Sequence, residues 1–392
     1  MDRKVYDARI QRIQKDMQAG GMAALIATKP QTFFYLSDFN PIIFSHPTIV
    51  VLPAQGAPTL LIWSIRRDHA RAETVVEDIR LFGRWADREY VALDPYEALG
   101  KILADRGLTR GVLGVEEDHL SAKQLRRIRD LAPEATFIDA SPIIDRARVV
   151  KDAEEIARLR RAAKIADAGM NVAVEAIGER CTEAEASRRA QSAMLELWAR
   201  EYPDHEPAGF AGHEGAIWSA LWCWVVSGPR IEINADTAKS RRIVDGDIAL
   251  AQIWAVLDGY TAENERTLGV GKISAEEHRV FETVIASHRA TMAVLKPGIT
   301  CHDAFEAAAQ VMRKAGYEKL LPGRIGHSIG IGPHEHLSLA NGEKTRLVPG
   351  MVFSVEPGIF ATGINIRHSD TVVITETGCE SLTNTPNGLL MV

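Results

Sequence analysis

Glu263, Glu265, His327, His334 and Glu356 are the residues of this chain whose types and spacing are suited to chemistry. Carboxylates in a group orient a cation through charge-assisted contacts, and histidine is the side chain that titrates near neutral pH. The segment Asp247 to Leu257 reads as a strand, and Asp258-Gly259 is a two-residue hairpin signal because both positions tolerate positive φ. The returning strand is predicted over Tyr260 to Leu268. With that turn Leu257 faces Tyr260, so Gln252 lies opposite Glu265 and Trp254 opposite Glu263, and all four share one face. Two carboxylates beside a tryptophan and a glutamine are unusual for the core side of a hairpin. A solvated outer face with ordinary surface ion pairs explains the same pattern.

Two later segments add polar groups. Gly326 to His334 places two histidines in a glycine-rich stretch that lets the backbone approach a ligand closely. Gly350 to Gly358 ends an apolar strand on Glu356, stopped by Pro357 and Gly358, and a carboxylate at the end of a buried strand needs a partner. A structural salt bridge satisfies that need as well as a ligand does. The last strand, Ile364 to Thr375, carries Arg367, His368, Ser369 and Asp370 in one block, which ordinary hairpin polarity also explains.

The elements that must position these groups fall into two parts. The first stretch alternates helical patterns (Ala8 to Ala19, Arg66 to Glu73, Pro95 to Asp105, Ala122 to Leu131) with short apolar runs (Ala23 to Ala27, Thr48 to Leu52, Thr59 to Trp63, Gly111 to Val115). That alternation implies a sheet covered by helices. Asp152 with Glu155 resembles a capping box opening a long helix toward Ile177, so a boundary is expected at about residue 150, giving domains 1–150 and 151–392. Further helices are predicted over Glu183 to Glu201, Ser274 to Val294 and His302 to Ala315, with strands between and a strand-rich end. The fold class is therefore α+β, with a smaller α/β domain in front.

Composition narrows the function classes. At 392 residues two domains are the default, and 46% hydrophobic with 25% charged residues is ordinary for globular proteins. A net charge of −6 lacks the basic excess of a nucleic-acid partner, and no stretch approaches a membrane span. Cys181, Cys223, Cys301 and Cys379 are far apart and form no paired ligand spacing, which fits free thiols in the cytoplasm.

Gly259-Tyr260, Glu263, Arg266-Thr267, Gly326-His327, His334, Pro349-Gly350-Met351, Glu356-Pro357-Gly358, Arg367 and Asp370 together resemble the ordered motifs of the pita-bread superfamily, which includes methionine aminopeptidase, prolidase, aminopeptidase P and creatinase. The first half, including Phe34 to Phe39, looks like the creatinase-type N-terminal domain. The peptidases of this superfamily hold two metal ions, and their ligand positions fall here on Gln252, Glu263, His327, Glu356 and Ser369. A neutral glutamine and a serine replace two acids, and a dinuclear centre needs anionic oxygens. Glu265-Arg266-Thr267 resembles the metal-free creatinase more than the peptidases.

The resemblance thus implies a metal-independent hydrolase of a carbon-nitrogen bond in a small amidine, guanidino or amide compound, with no cofactor and no metal. In that reading Glu263, Glu265 and Glu356 orient the cationic group and His327 or His334 moves the proton. Gln252, Trp222, Trp224, His46, Arg266, Arg367 and Asp370 are the expected substrate-binding residues, with Trp218 as a further aromatic, although core packing also explains the tryptophans. Creatinase's base histidine would fall near Ala235 and Asp236, and its carboxylate-binding arginines on His46 and Ser338, so creatine itself is not the expected substrate. In the related ectoine hydrolase an acid at the position of Glu263 is a nucleophile. The resemblance also implies a homodimer. The alternatives are an Xaa-Pro dipeptidase-like peptidase with one ion on Glu263, His327 and Glu356, and a non-catalytic binding module.

Overall fold

The computed structural model describes residues 1–210, 220–233 and 236–392; Trp218 and Ala235 lie outside the described residues. The chain divides into two compact units: of the described residues, the first holds Met1–Arg148 and Phe210, and the second holds Val149–Gly209 and the rest of the chain from residue 220.

In the first unit the elements run α1 (Arg3–Ala19), β1 (Met22–Ala27), α2 (Pro30–Ser37), β2 (Ile49–Pro53), β3 (Thr59–Trp63), α3 (Arg67–Glu73), β4 (Asp78–Phe82), α4 (Pro95–Asp105), β5 (Arg110–Val115), α5 (Ala122–Leu131), β6 (Glu134–Asp139) and α6 (Ser141–Val149). The strands form one sheet in the order β4-β3-β2-β1-β5-β6. Its central strands are apolar and buried, because helices cover them: Ala24, Ile26, Val51, Leu61, Leu113 and Val115 pack with Leu99, Ile102 and Ile128. β4 and β6, at the two edges, read half-exposed and mixed. A buried acid fixes the start of α2, since Glu116 accepts from Thr28 N at 3.0 Å and Lys29 N at 2.9 Å.

The second unit follows with α7 (Ala153–Gly178), α8 (Glu183–Glu201), β7 (Leu221–Ser227), β8 (Ile248–Leu257), β9 (Tyr260–Gly269), α9 (Ala275–Val294), α10 (Cys301–Lys314), β10 (Arg324–Ser328), β11 (Ser338–Ala340), β12 (Val352–Val355), β13 (Gly358–Ala361), β14 (Ile364–Ile374), β15 (Cys379–Ser381) and β16 (Leu390–Met391). Asp152 and Glu155 form the capping box that starts α7, and Ser274 with Glu277 and Thr300 with Asp303 start α9 and α10 in the same way. Each such cap contributes about 1 kcal/mol by giving orphan backbone N–H groups an acceptor.

The sheet runs β11-β10-β12-β14-β9-β8-β7, and the neighbours along that path are antiparallel. The hairpin has the expected register: Leu257 faces Tyr260, Gln252 faces Glu265 and Trp254 faces Glu263. Asp258 at φ 50° and Gly259 at φ 76° make the turn, the primed geometry whose twist matches the flanking strands. Apolar residues of α9, Val280, Phe281 and Val284, pack with Val226, Leu250 and Ile366 into one core. A second core joins Phe305 and Ala308 of α10 to Phe353, Val355 and Val372. The fold is a creatinase-type N-terminal domain followed by a pita-bread domain. Among the described residues no helix is long and apolar enough to cross a membrane.

Candidate active site

Strand alternation decides which groups meet. The cross-strand pairs Trp222 with Trp254, Trp254 with Glu263, Ser354 with Thr371 and His327 with Ser354 put one row of side chains on one face. Trp224 with Gln252, Gln252 with Glu265 and Glu265 with Ser369 make the adjacent row. The expectation that this face could be a solvated exterior is corrected: every residue of β9 is buried, with Glu263 1% and Glu265 0% exposed.

Glu263 sits at the centre. Its Oε1 accepts from Ser354 Oγ at 2.5 Å and Ser369 Oγ at 2.7 Å, and its Oε2 accepts from Trp254 Nε1 at 3.0 Å. Three donors on one carboxylate fix its orientation, as supporting hydrogen bonds do around a ligating acid. His327 Nε2 lies 3.5 Å from Glu263 Oε2 and 3.5 Å from Glu356 Oε1, while its Nδ1 faces Ser328 O at 3.2 Å. Gly326 allows this approach, because a Cβ there would run into the Ser354 carbonyl of β12. Glu356 is partly exposed and has Arg324 Nε 3.7 Å away. Ring centroids of His327 and His334 are 4.2 Å apart, with His334 exposed.

The second row holds Arg367. Its Nε lies 3.1 Å from Glu265 Oε2, and its Nη2 donates to Gln252 Oε1. Trp224 packs edge-on against Trp254 with centroids 5.1 Å apart.

Proximity pushes the proton affinities apart. Burial opposes ionisation of Glu263, but His327 and the two serine hydroxyls outweigh it and hold the carboxyl at about 2. Burial, with the charges of Glu263 and Glu356, pushes Glu265 up to about 8 against the pull of Arg367. Burial and the Glu263 charge push Glu356 up to about 7. His327 is disfavoured as a cation by burial, yet Glu263 and Glu356 raise its affinity overall, whereas burial and His327 lower that of His334. Neighbouring groups with separated proton affinities are the requirement for acid–base chemistry.

A divalent cation also fits one part of this cleft. One ligand atom each from Glu263, His327 and Glu356 lie within 4.8 Å of one another, and His327 Nε2 has no hydrogen-bond partner among the described residues. Two carboxylate oxygens and an imidazole nitrogen are a donor set for a divalent transition metal. Gln252 and Ser369 offer no anionic oxygen; Gln252 Oε1 is held by Arg367 and Ser369 Oγ by Glu263.

Glu263, Glu265, His327, His334, Glu356, Gln252, Trp224 and Arg367 therefore come together. Arg266 and Asp370 do not: they point to the opposite, helix-covered face, where Arg266 Nη2 donates to Asp370 Oδ1 at 2.7 Å with both side chains 0% exposed. Their expected role in binding substrate is corrected on that ground. Trp222 is 45% exposed and packs on Trp224 at 6.1 Å. His46 belongs to the first unit, stacked on Trp63 at 3.6 Å. Trp254 was signalled by its register with Glu263 and Ser369 by the motif likeness, but the contacts of Ser354 and Thr371 with Glu263 were not legible, because small hydroxyl residues on a strand carry no pattern.

Residues 157–376 match the metallopeptidase family M24, and residues 9–150 match the creatinase/prolidase N-terminal domain. A putative dipeptidase, YkvY, of Bacillus subtilis is 28% identical over 386 residues, covering 98% of this chain and 99% of the relative. A creatinase of a Bacillus species is 29% identical over 390 residues, covering 96% and 90%. An Xaa-Pro dipeptidase of Pyrococcus furiosus is 24% identical over 383 residues, covering 97% and 99%. The expectation of a metal-independent amidinohydrolase acting on a non-peptide carbon-nitrogen bond is overturned: the matching family is one of metallopeptidases, dipeptidases are among the relatives, and three converging residues suit a cation.

Proposed function

The chain belongs to metallopeptidase family M24, and from that premise we propose that it is a metal-dependent peptidase acting on dipeptides of the Xaa-Pro type. The observation that carries this reading is the convergence of Glu263, His327 and Glu356. These three residues would hold one divalent cation, which when bound supplies Lewis-acid polarisation at the scissile carbonyl. Glu263 is kept ionised and oriented by Trp254, Ser354 and Ser369. Glu356, nearer the solvent, would complete the donor set as a carboxylate, and His334, whose ring lies 4.2 Å from that of His327, would pass a proton at a ring nitrogen to the departing amine. Gln252 and Ser369 make a second ion unfavourable, since neither brings negative charge.

The test is hydrolysis of Xaa-Pro dipeptides by protein analysed for metal. We expect one ion per chain, activity lost with chelator and restored by manganese or cobalt. Undiminished hydrolysis in chelator, or none with any metal, would sink the reading.

The proposal extends to a cytoplasmic homodimer with domains 1–150 and 151–392. The four free cysteines and the resemblance to creatinase-type proteins support it, and light scattering reads the dimer.

A further inference from the structure

In the row beside the metal-suited residues, Glu265 Oε2 and Arg367 Nε lack a hydrogen bond but face each other as an ion pair, and three further buried polar atoms have neither contact among the described residues: Trp224 Nε1, Gln252 Nε2 and Glu265 Oε1. They come from directly opposed positions on three adjacent strands, Trp224 facing Gln252 and Gln252 facing Glu265. Gln252 is 1% and Glu265 0% exposed, so bulk water does not satisfy them. A buried polar atom left unpaired forfeits its hydration without replacement, which makes three in a row a place built for a ligand.

Arg367 decides what each atom offers. Its Nη2 donates to one end of the Gln252 amide, which must therefore be Oε1, leaving Nε2 as a donor turned away. Its Nε lies against Glu265 Oε2, leaving Oε1 as the free acceptor. The row thus presents two donors, from Trp224 and Gln252, followed by one acceptor.

Charge excludes the ionic candidates. Above about pH 8, where Glu265 is ionised, Arg367 and Glu265 neutralise each other, so an ammonium would meet the guanidinium and a carboxylate would meet Glu265 with Glu263 nearby. A trans peptide group points its C=O and N–H to opposite sides and does not satisfy both from one direction. A primary carboxamide does: its oxygen accepts two hydrogen bonds and its NH₂ donates to the acid.

We propose that Trp224, Gln252 and Glu265 form a subsite for a neutral primary carboxamide, the side-chain end of a glutamine or asparagine at the substrate's N-terminal residue. The peptide context rests on the dipeptidase reading; the subsite itself does not. It makes this cleft selective for polar, uncharged side chains, because an apolar one would leave all three atoms unpaired.

The experiment separates the two claims. Calorimetric binding of L-glutamine, L-methionine and L-glutamate is measured on the full chain in chelator at about pH 9, above the Glu265 value of about 8, where hydrolysis plays no part and the three probes share their amino and carboxylate groups. Glutamine is expected to bind at least about tenfold tighter than either of the others. Gln252→Met and Trp224→Phe should each bring the ratio to within about twofold, the second removing one N–H with little change of shape. Equal affinities in the parent protein, including failure of all three to bind, overturn the proposal, as does a ratio that survives both substitutions. Gln-Pro and Met-Pro hydrolysis under metal then asks the separate question: no turnover of either would end the dipeptidase reading and leave the binding result standing.

Discussion

Arg266 and Arg367 sit on adjoining strands, β9 and β14, one on each face of the same sheet. Arg266 faces the helices and every guanidinium nitrogen donates: Nε to Pro386 O at 3.1 Å, Nη1 to Ser369 O at 2.6 Å and Glu265 O at 2.9 Å, Nη2 to Asp370 Oδ1 at 2.7 Å and, at 3.2 Å, to Thr385 O and Asn387 Oδ1. Arg367 faces the cleft and is only partly engaged; among the described residues its Nε has an ionic contact with Glu265 but no hydrogen bond, and the Gln252 and Glu265 beside it keep atoms without a hydrogen-bond partner. Both arginines are buried among acids, so burial and charge alone do not tell them apart. Satisfaction does. A saturated buried ion fixes the architecture, while an unsaturated one marks where another molecule completes the set.

The comparison breaks most visibly at Arg266. Arg266→Met should lower stability by about 3–5 kcal/mol, because it leaves Asp370 buried without its cation. Denaturant midpoints of parent and variant read this, and a loss below about 1 kcal/mol would mean that the saturated face contributes little. On the cleft face the effect should reverse in kind. Glu263→Gln keeps the shape but removes the charge, so turnover and metal content should fall at least about a hundredfold, since even supporting partners of a ligand cost tenfold to a hundredfold. Melting should be nearly unchanged. A variant that retains its ion, or one that unfolds, would place Glu263 with the architecture instead.

The same two faces explain what could be read from the sequence. The hairpin was legible because Asp258-Gly259 fixes its turn and period-two alternation then fixes every cross-strand pair, so the cleft row from Gln252 to Glu265 followed. That same alternation already puts Arg266 on the other face from Glu265; the motif likeness drew it into the site against its own register. In the first unit the runs of β1, β2, β3 and β5 were found because they are apolar, whereas β4 and β6, with burial patterns broken by exposed positions, carry no run to find. What pairs His288 of α9 with Asp370, at 3.2 Å, is tertiary and leaves no local trace. The choice between metal and no metal was misread because the two lost acids outweighed Glu263, His327 and Glu356, which were named for one ion only in the alternative reading and which do converge.

His368 offers the smallest and sharpest test of the saturated face. Its Nε2 lies 2.7 Å from Asn387 Oδ1 and 3.4 Å from Asp370 Oδ2, and its ring is 4.6 Å from that of His288. Burial, then the positive charge of Arg266, push its affinity for a proton down to about 4, although Asp370 pulls the other way. In the unfolded chain the same imidazole binds a proton below about pH 6.5. Between those values the unfolded state holds more protons than the folded one, so stability contributed at neutral pH is lost as the pH falls from about 6.5 toward 4. The loss at pH 5 relative to pH 7.5 is about 2 kcal/mol from this residue. His368→Gln retains a donor for Asn387 and does not titrate, so its stability should fall less than the parent's over that interval when denaturant midpoints are compared at the two pH values. Parallel losses in parent and variant would mean that the imidazole already shares in charge pairing with Asp370, and that this face tolerates a second cation beside Arg266.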